Sequence, residues 1–298
     1  MWTRRSVIAG GLVAMSAPEI AFAQARLYRQ VPKTGEKIPI VGLGTWQAFD
    51  LGPGDADWRD AGRALDTFLK SGGRVIDSSP MYGAAEGAIG TLLEGLQGAP
   101  QPFLATKVWT TGREAGRAQI EDSFRKLRTR RIDLLQVHNL LDFPAHLPTL
   151  RELKARGRIR YIGATHYHSG AYDDLERVIR SGALDFVQLN YSVAERDAER
   201  RLLPLARDSR VAVIANRPFA GGELFGQIRS KPLPAWAAEL RCTSWAQLML
   251  KYVLADSAVT CAIPGTRNPK YVLDNLTAAQ APLPDARMRK RILDAALG

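Results

Sequence analysis

Asp77, Tyr82, Lys107 and His138 are the four side chains whose types and spacing suit acid–base chemistry on a carbonyl group. A tyrosine has a reference pKa of about 10, too high for easy proton donation and return near neutral pH. An ammonium group beside it favours the phenolate and lowers that value, and a carboxylate paired with the ammonium holds it in place. An imidazole at the same point hydrogen-bonds a carbonyl oxygen or shares the proton. No G-x-S-x-G and no cysteine in a catalytic context occurs, so an activated nucleophile is not expected.

Each of these residues falls where an element should end. The apolar run Val75-Ile76 closes on Asp77, Tyr82 follows a short loop, and the Gly- and Ala-rich segment to Gly90 opens a helix. Short apolar runs alternate with amphipathic stretches along the chain, the signature of a parallel α/β fold. Strands are expected at Val41–Leu43, Arg74–Ile76, Phe103–Thr106, Ile132–Val137, Ile159–Gly163, Phe186–Leu189, Val211–Ala215 and Val259–Ile263. Helices are expected at Asp57–Lys70, Ala84–Glu94, Arg113–Arg128, Leu147–Arg156, Tyr172–Arg180 and Ala198–Asp208. An insert holds Trp236–Leu240 and Ser244–Leu254, and Pro269–Ala278 follows the last strand. Gly72, Gly157 and Gly182 stand where helices should stop.

Eight strands alternating with helices indicate an α/β fold of the (β/α)8 TIM barrel type, not an open sheet. Tyr28 to Ile40, centred on Lys33-Thr34-Gly35, reads as an N-terminal β-hairpin, and Ala286–Leu297 as a C-terminal helical tail. No G-x-G-x-x-G follows any strand, which weakens a dinucleotide-binding open sheet. In barrels the chemistry sits at the C-terminal strand ends. Those ends carry Gly44-Thr45-Trp46, Asp77, Lys107, His138-Asn139, Thr165-His166, Gln188 with Asn190, Asn216-Arg217-Pro218 and Gly265-Thr266. Polar groups crowd one mouth.

At 298 residues and 46% hydrophobic, the chain can bury a large core, and its 24% charged fraction excludes a disordered or fibrous class. Residues 1–23 read as a cleavable export signal ahead of a single barrel over 24–298. Arg4-Arg5 precede a modest apolar run, and Ala21-Phe22-Ala23 forms a small-x-small cleavage site. The paired arginines resemble a bacterial twin-arginine signal, which points to a periplasmic location after export in the folded state. A general secretory signal or an uncleaved anchor is the alternative. Removing Arg4, Arg5 and Glu19 leaves about +10 of the formal net charge of +11. The arginines are scattered among acids, so a solvated basic surface is preferred to a nucleic-acid site. Neither nucleic acid nor stable membrane insertion is expected, and the chain is taken as a monomer. Cys242 and Cys261 lie in separate apolar segments and read as buried thiols, a disulfide being the alternative.

With these motifs in view, the chain resembles the aldo-keto reductase family. Asp77, Tyr82, Lys107 and His138 match its catalytic tetrad in order and context, through Val-Ile-Asp-Ser-Ser, Tyr-Gly, Ala-Thr-Lys-Val-Trp and Leu-Leu-Gln-Val-His. The similarity runs from about Ile40 to Asn275. It implies hydride transfer between NADP(H), or NAD(H) as the lesser alternative, and a small carbonyl or alcohol substrate, with Tyr82 as general acid and base. It also places Gly44, Thr45, Trp46 and Asp77 near the nicotinamide ribose, and Thr165, His166 and Gln188 at the carboxamide. Asn216, Arg217, Pro218 and Phe219 extend that cofactor surface, and Thr266, Arg267 and Asn275 belong to the adenosine-phosphate clamp, with Arg267 on a 2′-phosphate. The family commonly has Ser-Asn where Thr165-His166 stand, and an aromatic where Asn216 stands. Trp46, Trp109, Tyr82 and His138 would shape the substrate pocket.

Two other functions compete with this one. His138, His166 and His168 with Asp77 and Lys107 make a conceivable ligand set for a metal-dependent barrel hydrolase. Against it, His166 and His168 should point to opposite sides of an extended strand, and no metal is expected. The other is an NADP(H)-binding redox-sensing module without turnover. Glu86 reads as a helix-start charge, and His146 and His168 as surface or loop residues.

Overall fold

Helix α1 (Trp58–Lys70) shows how the chain builds its outer layer: Ala61, Ala64, Leu65, Phe68 and Leu69 recur at helical spacing, and all five are buried. The strands they cover are buried on both faces, as parallel sheets wrapped by helices must be. The computed structural model describes residues 26–96 and 98–298. The expected export signal over 1–23 lies outside the described residues. Among those described, no helix is long and apolar enough to cross a membrane.

A two-stranded antiparallel hairpin, β1 (Tyr28–Gln30) with β2 (Lys37–Pro39), comes first. Then follow β3 (Leu43–Gly44), β4 (Val75–Asp77), β5 (Phe103–Val108), β6 (Ile132–His138), β7 (Ile159–Thr165), β8 (Phe186–Asn190), β9 (Ala212–Asn216) and β10 (Val259–Ala262). These eight pair in chain order in one sheet, every resolved pairing parallel. The ends of the sheet meet: Gly42 N–H donates to Ala262 C=O at 2.8 Å, Ala262 N–H to Ile40 C=O at 2.9 Å, and Gly44 N–H to Pro264 C=O at 3.0 Å. That closure makes the barrel. Its outer layer continues with α2 (Ala85–Gly95), α3 (Arg113–Lys126), α4 (Phe143–Ala155), α5 (Tyr172–Arg180) and α6 (Leu202–Asp208). The remaining helices are α7 (Glu223–Ile228), α8 (Trp245–Leu254), α9 (Pro269–Thr277) and α10 (Ala286–Leu297).

The hairpin stoppers one end. Val31 and Ile38 pack with Phe103, Leu134, Tyr161 and Phe186 inside the barrel, where the Tyr161 and Phe186 rings meet edge to face at 5.2 Å. The N-terminal mouth is therefore filled with apolar side chains, and the C-terminal mouth is left for polar ones. Cys242 and Cys261 are buried free thiols.

Several elements differ from expectation. The first strand spans Leu43–Gly44 in place of Val41–Leu43, because Val41 meets Ala262 only through an isolated bridge. α4 starts at Phe143, not Leu147: Pro144 sits in the first turn, where its missing N–H has no intrahelical partner to lose, and Pro148 is carried inside. The stretch 198–208 breaks at Arg201 (φ −127°, ψ −70°) into a 3-10 turn, Asp197–Arg200, and α6. Trp236–Leu240 is 3-10 and not α.

Gly90 marks where α2 touches α3: an added Cβ would stand 2.0 Å from the Lys126 carbonyl oxygen. Backbone cannot swing away as a flexible side chain can, so Gly90→Ala is expected to destabilise the fold by about 1–3 kcal/mol. Thermal unfolding followed by circular dichroism should show a lowered Tm; an unchanged Tm would mean the two helices separate freely.

Candidate active site

The strand register decides which side chains meet. Asp77 pairs with Ala105, and Lys107 pairs with Gln136 two residues along, so alternate inward positions of β4, β5 and β6 converge at the C-terminal mouth. Lys107, with no exposed surface, donates from Nζ to Asp77 Oδ1 at 2.6 Å and to the Ser78 carbonyl at 2.7 Å. Its ammonium lies 4.9 Å from the centre of the Tyr82 ring. The other carboxylate oxygen, Asp77 Oδ2, accepts from Gln136 Nε2 at 3.1 Å and from Gln188 Nε2 at 2.9 Å. His138 Nδ1 lies 2.9 Å from Ser79 Oγ, and its ring meets that of Tyr82 edge to face at 5.8 Å. The four predicted acid–base residues are thus gathered in one place.

The loop carrying Tyr82 is held from outside. Ala84 N–H donates to Asp50 Oδ1 at 2.8 Å, and Asp50 occupies the space a Cβ on Gly83 would need, 2.1 Å away. Gly83 also has φ +58°, so glycine is required there on both counts.

Burial dominates the electrostatics. It raises the Tyr82 pKa; the Lys107 ammonium pulls it back and the Asp77 carboxylate adds to the rise, leaving the net direction upward. The expectation that Lys107 would lower the phenol below its ordinary value is therefore corrected: Lys107 limits the rise. Burial opposes the charge on Lys107, yet Asp77 and Tyr82 outweigh it and the ammonium is held more firmly than usual. His138 is pushed down to about 2 by burial, then by Lys107 and His166, so its imidazole is neutral.

Three further expectations are corrected. Glu86 lies in the first turn of α2, but it is buried, accepts from Thr106 Oγ1 at 2.6 Å, and has its pKa raised by burial. It stands at the helix start as expected, but as a carboxyl of the core. His146 is buried in α4, where Nε2–H donates to the Thr110 carbonyl at 2.7 Å. His166 and His168 do not diverge: side chains two residues apart share one face of an extended chain, and their rings meet edge to face at 4.4 Å. Among the described residues, no group of three His, Cys, Asp or Glu side chains is gathered as a metal site would require.

Around this centre stand the other predicted residues. Thr45 is buried and bonds Ser78 Oγ at 2.9 Å, while Trp46 and Trp109 are 49% and 41% exposed on the rim. Thr165 donates to Gln188 Oε1 at 3.2 Å, so Gln188 is engaged at both ends of its amide and braces Asp77 rather than facing outward. His166 Nδ1 accepts the Tyr167 N–H at 3.1 Å, and burial with the nearby His168 lowers its pKa to about 4. The neutral ring therefore carries its proton on Nε2. Asn216 Nδ2 reaches the His166 carbonyl at 3.5 Å, and Asn216 Oδ1 is buried without a partner. Arg217 faces Glu195 at 3.4 Å beside buried Pro218, and Phe219 packs on Phe225. Arg267 pairs with Asp57 at 2.6 Å and donates to the Gln47 carbonyl at 3.2 Å; Thr266 lies beside it, and Asn275 is buried in α9. A polar cleft of about 430 Å³ opens between His168, Asn190, Glu195 and Arg200, apart from the four acid–base residues.

Sequence reasoning missed Gln136, Ser79 and Asp50 as supports of the site. Gln136 was accessible to a period-2 argument, since it lies two residues before His138 on the same strand face. Ser79 and Asp50 act across loops and leave no local signal.

A family model described as the aldo/keto reductase family matches residues 40–292. The NADH-specific methylglyoxal reductase of Escherichia coli K12 is 28% identical over 317 aligned residues, covering 84% of this chain and 95% of that protein. The aldo-keto reductase YhdN of Bacillus subtilis is 29% identical over 216 residues, covering 67% of this chain and 64% of that protein, a little under two thirds of its length. Among solved structures, an aldo-keto reductase of Klebsiella pneumoniae in complex with NADPH superimposes with a TM-score of 0.73 at 24% identity, over 90% of this chain and 94% of that one. The fold is shared along nearly the whole described chain, and the family match spans the barrel from strand β3 to helix α10. The chain belongs to the aldo/keto reductase family.

Proposed function

We propose that the protein is an NADP(H)-dependent carbonyl reductase in which Tyr82 gives the proton to the substrate oxygen. The observation that carries this reading is the buried Asp77–Lys107 pair at 2.6 Å with the Tyr82 ring over its ammonium. The phenol is the proton store. Lys107 restrains the burial-driven rise of its pKa, and Asp77, braced by Gln136 and Gln188, fixes the ammonium. Ser79 Oγ accepts from Met81 N–H at 3.3 Å, which leaves its own proton for His138 Nδ1. Neutral His138 then turns an Nε2–H toward the substrate oxygen and helps orient it.

A nicotinamide fits the residues opposite. Its carboxamide carries one acceptor and one donor, and the rim offers the His166 Nε2–H as donor and the orphaned Asn216 Oδ1 as acceptor. When bound, the reduced cofactor supplies the hydride. The Klebsiella pneumoniae neighbour supports NADPH, and the Escherichia coli relative supports NADH as the lesser alternative. A small carbonyl compound is the proposed substrate, and periplasmic export by a twin-arginine route is proposed from Arg4-Arg5 and Ala21-Phe22-Ala23.

Oxidation of NADPH on adding a small aldehyde tests the reading; cofactor binding with no turnover of any aldehyde would reject it in favour of a redox-sensing module. The cofactor preference has its own test. Arg267 is half-exposed and already paired with Asp57, so a 2′-phosphate must exchange with that carboxylate. A hydrogen bond to a charged group is worth about 1.5–3 kcal/mol, so Arg267→Ala should weaken NADP⁺ at least tenfold. NAD⁺, without the phosphate, should change much less. Quenching of tryptophan fluorescence reads both affinities, and equal losses would remove Arg267 from the phosphate site.

A further inference from the structure

Asn190 closes β8 with its side-chain amide engaged at one end only. The residue is 4% exposed, and the Tyr172 hydroxyl donates to its Oδ1 at 3.2 Å. Tyr172 is itself buried, and burial raises its pKa, so the hydroxyl keeps the proton it donates. That bond settles which way the amide is turned: its oxygen faces Tyr172, and its nitrogen is left for the polar cleft of about 430 Å³ that Asn190 lines. Nδ2 has no acceptor among the described residues. A donor on so deeply buried a side chain normally has a partner. Here the partner has to come from the cleft.

The walls say what that partner is. All three carboxylates lining the cleft are already matched by arginines: Glu195 by Arg217 at 3.4 Å, Asp197 by Arg200 at 3.1 Å and Glu199 by Arg289 at 2.7 Å. Glu199 Oε1 also accepts from the hydroxyls of Tyr191 and Tyr252, both at 2.7 Å, so that wall is fixed before any ligand arrives. Arg196, exposed at the rim, has no acidic partner among the described residues. What the cleft still offers is donors: Arg196, Asn190 Nδ2 and the Ser169 hydroxyl. Their complement is an anion. The Arg200–Asp197 pair is solvent-exposed, with side chains 82% and 58% accessible, and such a pair contributes little and exchanges readily. Two guanidiniums on one wall suit two carboxylates, since each presents a fork of N–H donors. The volume lies in the range of small-molecule sites and far exceeds what a single small ion or water fills. We propose that this cleft is a binding site for a small dicarboxylate. One carboxylate is held by Arg196 and Asn190 Nδ2, the other by Arg200 in exchange for Asp197. None of Asp77, Tyr82, Lys107 and His138 lines the cleft, so the site stands apart from the reductase reading.

Calorimetric titration of the full chain with sodium succinate, against sodium chloride of matched ionic strength, should show one saturable site. Arg196→Gln should weaken it about tenfold or more, the size of one hydrogen bond between charged groups. Arg207→Gln removes the same charge outside the cleft, where Arg207 is exposed beside Asp208, and should leave binding nearly unchanged. Asn190→Asp keeps the acceptor for Tyr172 and replaces the donor with a negative charge, so it should abolish binding; should that variant fail to fold, the exposed Arg196 position decides alone. Acetate, with one carboxylate, should bind at least about tenfold more weakly than succinate. Equal affinity for acetate or for inorganic phosphate would make the cleft a general anion patch and overturn the dicarboxylate assignment. No saturable site, or equal losses in Arg196→Gln and Arg207→Gln, overturns the site itself. Succinate binding should persist at saturating NADP⁺; competition between the two would give the cleft to the nucleotide and overturn the proposal.

Discussion

Tyr82→Phe is expected to lower kcat for carbonyl reduction by about 10²–10⁴-fold, the usual contribution of a positioned general acid, while nucleotide affinity stays within about threefold, under 1 kcal/mol. The asymmetry follows from position. The phenol sits over Lys107 and against the edge of His138, whereas the groups offered to a nucleotide lie at His166, Asn216 and Arg267 on other strand ends. Phenylalanine keeps the ring and its packing and removes only the proton. The pH profile carries a second signature. The phenol must be protonated to act as acid, and burial raises its pKa, so wild-type reduction should hold through neutral pH and fall only on the alkaline side, above about pH 10. His138, at about 2, is already neutral from acid pH upward and should add no limb between. Steady-state kinetics and a binding titration on the same preparation decide the matter: a mutant with near-normal turnover, or one that loses turnover only through lost cofactor binding, would sink the proton-donor role.

Much of this arrangement was legible before any coordinates, and the reasons are specific. β5, β6 and β8 are largely apolar, fully buried strands that carry Lys107, His138 and Asn190 at or next to their C-terminal ends, and in a parallel barrel such ends share one mouth whatever the loops do. Gly72, Gly157 and Gly182 announced helix ends, and each adopts the left-handed conformation that stops a helix. What stayed hidden depends on pairing between distant segments. β3 is short because its far side meets β10 through single bridges, a seam no local pattern records. His146 looked like a loop residue because its burial comes from Gly116, which leaves room for the ring against α3. α7 went unseen because Gly221-Gly222, both at positive φ, read as loop, although they lead straight into a helix. The sense of the Tyr82 shift was missed for the same kind of reason: charge neighbours can be inferred from motif order, but the degree of burial is a property of the assembled barrel.

Lys107→Met should be at least as damaging to turnover as Tyr82→Phe, and by a different route. The ammonium is the one influence that draws the Tyr82 pKa down against burial, so without it the phenol becomes a weaker acid at the moment it must give its proton. Methionine also leaves the Asp77 carboxylate buried with only the amides of Gln136 and Gln188, and breaking a buried ion pair from one side is worth about 3–5 kcal/mol of stability. A loss of activity could then reflect unfolding alone, and Asp77→Asn with Lys107→Met separates the two effects. The double variant removes the stranded charge, keeps a group of the same shape against the two glutamines, and should recover a large part of the Tm. It should not recover turnover, because nothing restores the cation beside the phenol. Thermal unfolding and kcat measured on the wild type, the single and the double variant give the answer. Recovery of Tm with turnover still lost places the effect on the phenol; recovery of both together would make the Asp77–Lys107 pair a structural ion pair of the barrel interior and leave Tyr82 without its electrostatic partner.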